Sequence, residues 1–133
     1  MLTGIDARLV EAEAKLNTGD FAGMFATLNA LRTSAQAIGN KTIAAMPALT
    51  NAPSTKDAAI TLFFREKAFW QFGRGFRLGD LRRLIRQYGR TQDNVFPMGT
   101  FFKGGTYGSD VNLPMSDVEL TNPNFHGCLD RSA

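Results

Sequence analysis

The chain has 133 residues, 44% of them hydrophobic, with one cysteine and 15 basic against 12 acidic residues, a net charge of +3. That size and apolar content match one ordinary globular segment whose compact form buries roughly two thirds of the unfolded surface. The lone Cys128 excludes an internal disulfide and a Cys-x-x-Cys site, no apolar run approaches the roughly 18 residues of a spanning helix, and from the charged, amphipathic start MLTGIDARLVEAEAKL no signal peptide is expected.

Taken in chain order, Ile5, Leu9, Ala12 and Leu16 recur at helical spacing and predict an amphipathic helix. Thr3 with Asp6 makes a capping arrangement at its start, and Asn17-Thr18-Gly19 stops it. A second helix begins near Asp20 and carries Phe21, Met24, Phe25, Leu28, Leu31, Ala35 and Ile38 as one stripe, closing at Gly39-Asn40. A link as short as Thr18-Gly19-Asp20 allows only a tight antiparallel hairpin in which each helix hides the other's stripe.

Residues 40–55, with Pro47 and Pro53 and no sustained period, predict a connecting loop. Ser54 or Thr55 caps a third helix over Lys56 to Phe72, whose Ile60, Leu62, Phe63, Phe64, Phe69, Trp70 and Phe72 cover more than one face and predict burial on several sides. Gly73-Arg74-Gly75 interrupts it. A fourth helix with Leu78, Leu81, Leu84, Ile85 and Tyr88 ends at Gly89, and arginines hold much of its other face. From Arg90 on, glycines and prolines scattered among Phe96, Phe101, Phe102, Tyr107, Leu113 and Phe125 show no period. So long an irregular stretch suits a fragment whose tail wraps over a surface, anchored by those aromatics. The expected organisation is a single segment: a helical hairpin over 1–39, a loop over 40–55, closing helices over 56–89 and an irregular wrapping tail over 90–133.

Three blocks carry a family likeness. ARLVEAEAKLNTGDFAGMFATLNALR, Ala7 to Arg32, resembles the last tetratricopeptide-like helical pair of the SusD/RagB outer-membrane nutrient-binding proteins, with Gly19-Asp20 at its corner. REKAFWQFGRGFRLGDLRRLIRQYGR, Arg65 to Arg90, resembles that family's closing helices, which run through a glycine turn into a DLRR segment. NVFPMGTFFKGGTYGSDVNLPMSDVELTNPNF, Asn94 to Phe125, is similar to its carboxy-terminal tail, with the FP, LP and NPN signatures, and GCLDRSA fits its last residues. The likeness covers nearly all of the chain except Gly39 to Thr55. Members of the family usually carry an acidic residue just before the glycine of the closing turn, where this chain reads Phe72-Gly73-Arg74-Gly75.

The resemblance implies a mainly α fold of tetratricopeptide-like antiparallel helical pairs followed by the irregular tail. Family members are several times longer, with an amino-terminal lipidated cysteine and a large central region, so the chain is expected to be the carboxy-terminal portion. The parent is then a lipoprotein on the outer face of the outer membrane that captures glycans or other nutrients, without catalysis and without a cofactor, and passes them to a TonB-dependent transporter. The family's ligand-contacting aromatics come mostly from the central region, so no residue of this chain is assigned as a ligand contact.

The residues with chemical potential each have a plainer reading. Trp70 can stack a pyranose, yet its place in an apolar helix beside Phe69 and Phe72 predicts core packing. Tyr107, in the Gly104 to Gly108 loop, is the better candidate for an exposed aromatic. Arg65, Lys67, Arg74, Arg77, Arg82, Arg83, Arg86 and Arg90 can fork onto phosphates, while Asp80 and Glu66 among them favour local pairing and a solvated face. Gly73-Arg74-Gly75 lacks the Gly-Lys-Ser/Thr ending of a phosphate-cradling loop. His126 and Cys128 supply two ligands, too few for zinc, and no third group to orient a nucleophile and base. Asp110, Asp117 and Glu119 read as turn and surface carboxylates. No catalytic, cofactor-binding or metal-binding residue is therefore named, and no nucleic-acid partner. The competing reading is a small tetratricopeptide-like adapter that holds a peptide between helical pairs. An enzyme comes third and would depend on His126 or Cys128.

Overall fold

The computed structural model describes residues 2–112 and 116–126, and the fold is mainly helical with one small two-stranded sheet. It falls into two compact units, Met1–Gly73 and Arg74–Ala133, taken here one at a time.

The first unit is built on three helices. In α1 (Gly4–Asn17) Thr3 accepts from the Asp6 backbone N–H while the Asp6 carboxylate takes the Thr3 N–H at 2.7 Å, a reciprocal cap that satisfies donors with no intrahelical partner. Gly19, at φ 82°, supplies the left-handed corner that ends it. Asp20 then caps α2 (Phe21–Thr33) by accepting from Gly23 N at 2.8 Å. α2 packs back on α1 across this short link, and Lys15 Nζ reaches Thr27 Oγ1 at 2.8 Å between them. α3 (Lys56–Trp70), capped by Thr55, lies against both. The core consists of Ile5, Leu9, Ala12 and Leu16 from α1, Met24, Leu28 and Leu31 from α2, and Ala59, Ile60, Phe63 and Phe64 from α3. Phe63 and Phe64 meet edge to face at 5.2 Å, the arrangement their ring quadrupoles favour.

Two expectations change here. The stripe through Ala35 and Ile38 is not helical, because α2 stops at Thr33. The Thr33 and Ser34 hydroxyls bond back to the Asn29 and Ala30 carbonyls, and Gln36 Nε2 caps the Leu31 carbonyl at 3.1 Å. Ser34 is already extended, and β1 (Gln36–Ile38) pairs antiparallel with β2 (Lys41–Ile43), Ala37 opposite Thr42. Gly39-Asn40 is therefore a two-residue hairpin turn, with Gly39 at φ 60°, and the 40–55 connection contains a strand. The excursion closes where Met46 N bonds the Arg32 carbonyl. α3, for its part, is buried on one face only: Phe69 is 68% exposed and Phe72, just past its end, 86%.

The first unit ends at Gly73, at φ 71°, and in the second unit Gly75, at φ 81°, precedes α4 (Arg77–Arg86), which buries Asp80, Leu81 and Leu84. Gly89 at φ 69° turns the chain so that Arg90 N returns to the Leu84 carbonyl at 3.0 Å. Among the described residues beyond Arg90 the chain is irregular apart from two single turns, α5 (Gln92–Val95) and α6 (Asp117–Leu120), and an isolated bridge between Thr100 and Thr106. Gln92 Nε2 ties α5 to the Ser109 carbonyl, and Val111 is fully buried. No helix among the described residues is long and apolar enough to cross a membrane.

Candidate functional site

The densest chemistry lies between the helices of the first unit. Glu66, on α3 and 2% exposed, accepts from Arg32 Nη1 of α2 at 2.9 Å, and Arg65 Nη2 stands 3.7 Å from its other oxygen. On the next position of α3, Lys67 lies 3.7 Å from Glu13 of α1, its ammonium 6.0 and 5.7 Å from the ring centroids of Phe63 and Phe64. Gln71 Nε2 donates to Asp6 Oδ1 at 3.0 Å, and Gln71 Oε1 has no hydrogen-bond partner among the described residues. Glu66 and Lys67 thus each face an opposite charge on another helix, and Asp6 an amide donor, so that these contacts join α3 to the α1–α2 pair. On the surface of α1, hydrogen bonds from Lys15 and then Arg8 hold the Glu11 carboxyl below its ordinary value.

Arg32 also reaches outward. Its Nε donates to the Pro47 carbonyl at 2.9 Å, while Asn29 one turn earlier donates to the Leu49 carbonyl at 3.4 Å and accepts from Leu49 N at 2.7 Å. These bonds lay the extended segment after β2 along α2, and between that segment and α3 runs an open groove of about 430 Å³. Its lining includes Leu49, Asn51, Pro53, Ala58, Leu62 and Arg65. Ala58, Leu62, Arg65 and Phe69 share one face of α3 by helical spacing, so exposed apolar surface continues past the groove. Thr50, Asn51, Ser54 and Arg65 share the lining with these apolar side chains, so the groove is of mixed polarity. No local pattern in the sequence marks this groove, because it exists only through bonds between residues 15 to 20 positions apart.

In the second unit the arginines of α4 divide. Arg82, Arg83 and Arg86 fall together on the side away from Leu81 and Leu84, whereas Arg77 starts the helix on the apolar side and is exposed all the same. Arg83 Nη1 is 3.7 Å from Asp80 and its Nε donates to Gln87 Oε1 at 3.0 Å. Arg74 places its guanidinium 5.2 Å from the centroid of the Phe76 ring. α4 has no side-chain cap at its first turn.

Trp70, the last residue of α3, is half-buried, but its expected core companions Phe69 and Phe72 are exposed. Tyr107 is 38% exposed, as the loop reading expects of an accessible aromatic, and its ring meets Phe101 edge to face at 5.3 Å. Phe101 also packs on Phe102 at 4.7 Å, so these tail aromatics form a small cluster of their own, with Phe102 left 81% exposed. Asp110 and Glu119 are exposed, Glu119 accepting from Asn122 Nδ2 at 3.1 Å, and Asp117 opens α6. His126 is exposed, while Leu113 and Cys128, and with it any His126–Cys128 pairing, lie outside the described residues. Among the described residues no three His, Cys, Asp or Glu side chains gather as metal ligands. No protein family, curated protein or solved structure matches the chain in comparison with known proteins.

Proposed function

We propose that the chain is the helical scaffold portion of a SusD/RagB-like nutrient-binding lipoprotein, a non-enzymatic component of outer-membrane uptake that works with a TonB-dependent transporter. The observation that carries this reading is the order of the three sequence blocks, Ala7 to Arg32, Arg65 to Arg90 and Asn94 to Phe125, each with its own turn or proline signature. Compatible with it are the α1–α2 pair folded over Gly19-Asp20 within the first block and the glycine turn leading into α4 within the second. In this reading α1 and α2 form a tetratricopeptide-like pair, and a glycan or other nutrient is held through parts of the parent mostly outside this chain. The charge pairs around Glu66 and Lys67 serve rigidity.

The test is the native gene product, detected with an antibody against this segment in separated soluble and outer-membrane fractions. A product several times larger than 14.6 kDa in the outer membrane is the expected result. A soluble 14.6 kDa species overturns it in favour of a small tetratricopeptide-like adapter. The groove between α3 and the extended segment, continuing onto exposed Phe69, is the feature that favours that second reading.

A further inference from the structure

We infer that residues 47–54 form a strap that lifts off α2 and reseats while the three helices stay folded, with Asn29 as its clasp. The bonds that seat it all end on its main chain. Arg32 Nε donates to the Pro47 carbonyl at 2.9 Å, and the Asn29 amide accepts from Leu49 N at 2.7 Å and donates to the Leu49 carbonyl at 3.4 Å. Asn29 thus answers both main-chain groups of one residue, as the peptide groups of a neighbouring strand do in an antiparallel pair. Among the described residues no other hydrogen bond holds residues 47–54, and none reaches a strap side chain.

Apolar burial adds little to these bonds. Leu49 and Pro53 are half-buried and the other six strap residues are exposed, whereas every buried apolar residue of the first unit comes from α1, α2 or α3. On the side of α3 the strap borders the open groove of about 430 Å³. A segment with few buried contacts and three tethering bonds opens at a far smaller cost than the helical core beneath it. Both ends stay fixed when it does. Met46 N remains on the Arg32 carbonyl, and Thr55 remains the cap of α3, accepting from Ala58 N at 3.2 Å, so reseating is a short loop closure. Arg32 holds Pro47 through Nε and Glu66 through Nη1, so the strap leaves without parting the α2–α3 charge pair. Since the strap is one wall of the groove and Ala58 and Leu62 of α3 belong to the other, its lifting widens the groove and uncovers the Asn29 amide.

The experiment follows the full chain by native-state hydrogen exchange and by thermolysin cleavage at the Ala48–Leu49 bond. The Leu49 amide is expected to exchange faster than those of Met46, Leu28 and Phe63, through an opening that about 1 M urea does not promote, because local opening exposes little surface. Cleavage tracks the same open population. Asn29→Ala removes the clasp and puts a better helix former into α2, so cleavage should quicken about tenfold while the Met46 and Phe63 amides keep their exchange rates. Leu49 exchange that rises with urea as steeply as that of Phe63 overturns the inference, since the strap then leaves only on global unfolding. So does unchanged cleavage in N29A, or an equal acceleration at Phe63, which marks Asn29 as a support of the whole fold. If N29A loses its helical circular-dichroism signature, the urea dependence of Leu49 exchange and of cleavage in the unaltered chain decides by the same criteria.

Discussion

Replacing Arg32 by methionine tests whether the seat of α3 is electrostatic. Glu66 is 2% exposed and has one close cationic partner, Arg32 at 2.9 Å, with Arg65 further off at 3.7 Å. Removing one member of a buried pair costs about 3–5 kcal/mol, since the remaining charge keeps its desolvation penalty. The residual contact with Arg65 and the 21% exposure of the Arg32 side chain place R32M near the low end, about 3 kcal/mol. With a urea slope of about 1.5 kcal/mol/M, the unfolding midpoint of the full chain should fall by about 2 M. E66L alone should cost about 2 kcal/mol, because the stranded guanidinium can still reach water. The double variant R32M/E66L removes both charges and keeps the volume, and should lie within about 1.5 kcal/mol of the parent, the remainder coming from the lost bond to Pro47. A coupling energy of about 3 kcal/mol or more in this cycle is the expected result. A double variant as destabilised as the sum of the singles, or an R32M loss below about 1 kcal/mol, refutes the reasoning.

Two glycines should respond in opposite directions in the same urea assay. A Cβ on Gly23 would stand 2.6 Å from Asp20 Cγ and push the capping carboxylate away, so Gly23→Ala should cost about 1 kcal/mol, whereas Gly79→Ala in α4 meets nothing and should stabilise by about 0.5–1 kcal/mol. The carboxyl of Glu11 is held below the ordinary value of 4.5 by Lys15 and Arg8, so its contribution is fully present above that value and is lost as pH falls through the lower folded value. The difference in stability between parent and E11Q, followed from pH 6 to pH 2, should therefore shrink on acidification and also with added salt. A difference that grows on acidification contradicts the pairing.

The first three helices are legible in the sequence because local rules and the hydrophobic period agree there. Thr3, Asp20 and Thr55 cap where they are expected to, and Ile5, Leu9, Leu16, Leu28 and Phe63 are core. The end of α2 is not legible from periodicity, since Ala35 and Ile38 continue the spacing while Thr33 and Ser34 break the helix through their hydroxyls. Gly39-Asn40 signals both a helix stop and a hairpin turn, and only the pairing of Gln36 with Ile43 decides between them. Phe69 and Phe72 look like core by composition, yet both are exposed, Phe69 lying on the face of α3 opposite its buried residues. Of the candidate site, the arginines of α4 can be seen in the sequence, as can their side of the helix. The groove beside Leu62 cannot, because Asn29 and Leu49 are joined by geometry that no short window contains.

The bond from Met46 N to the Arg32 carbonyl brings the two ends of residues 33–45 together, and everything between them is a detour off the helical body. Lengthening a loop whose ends are already joined costs only about 0.6 kcal/mol for each doubling. The Gly39-Asn40 tip is thus the place where this protein can accept foreign sequence. An epitope or a fluorescent reporter grafted there would leave α1, α2 and α3 in register.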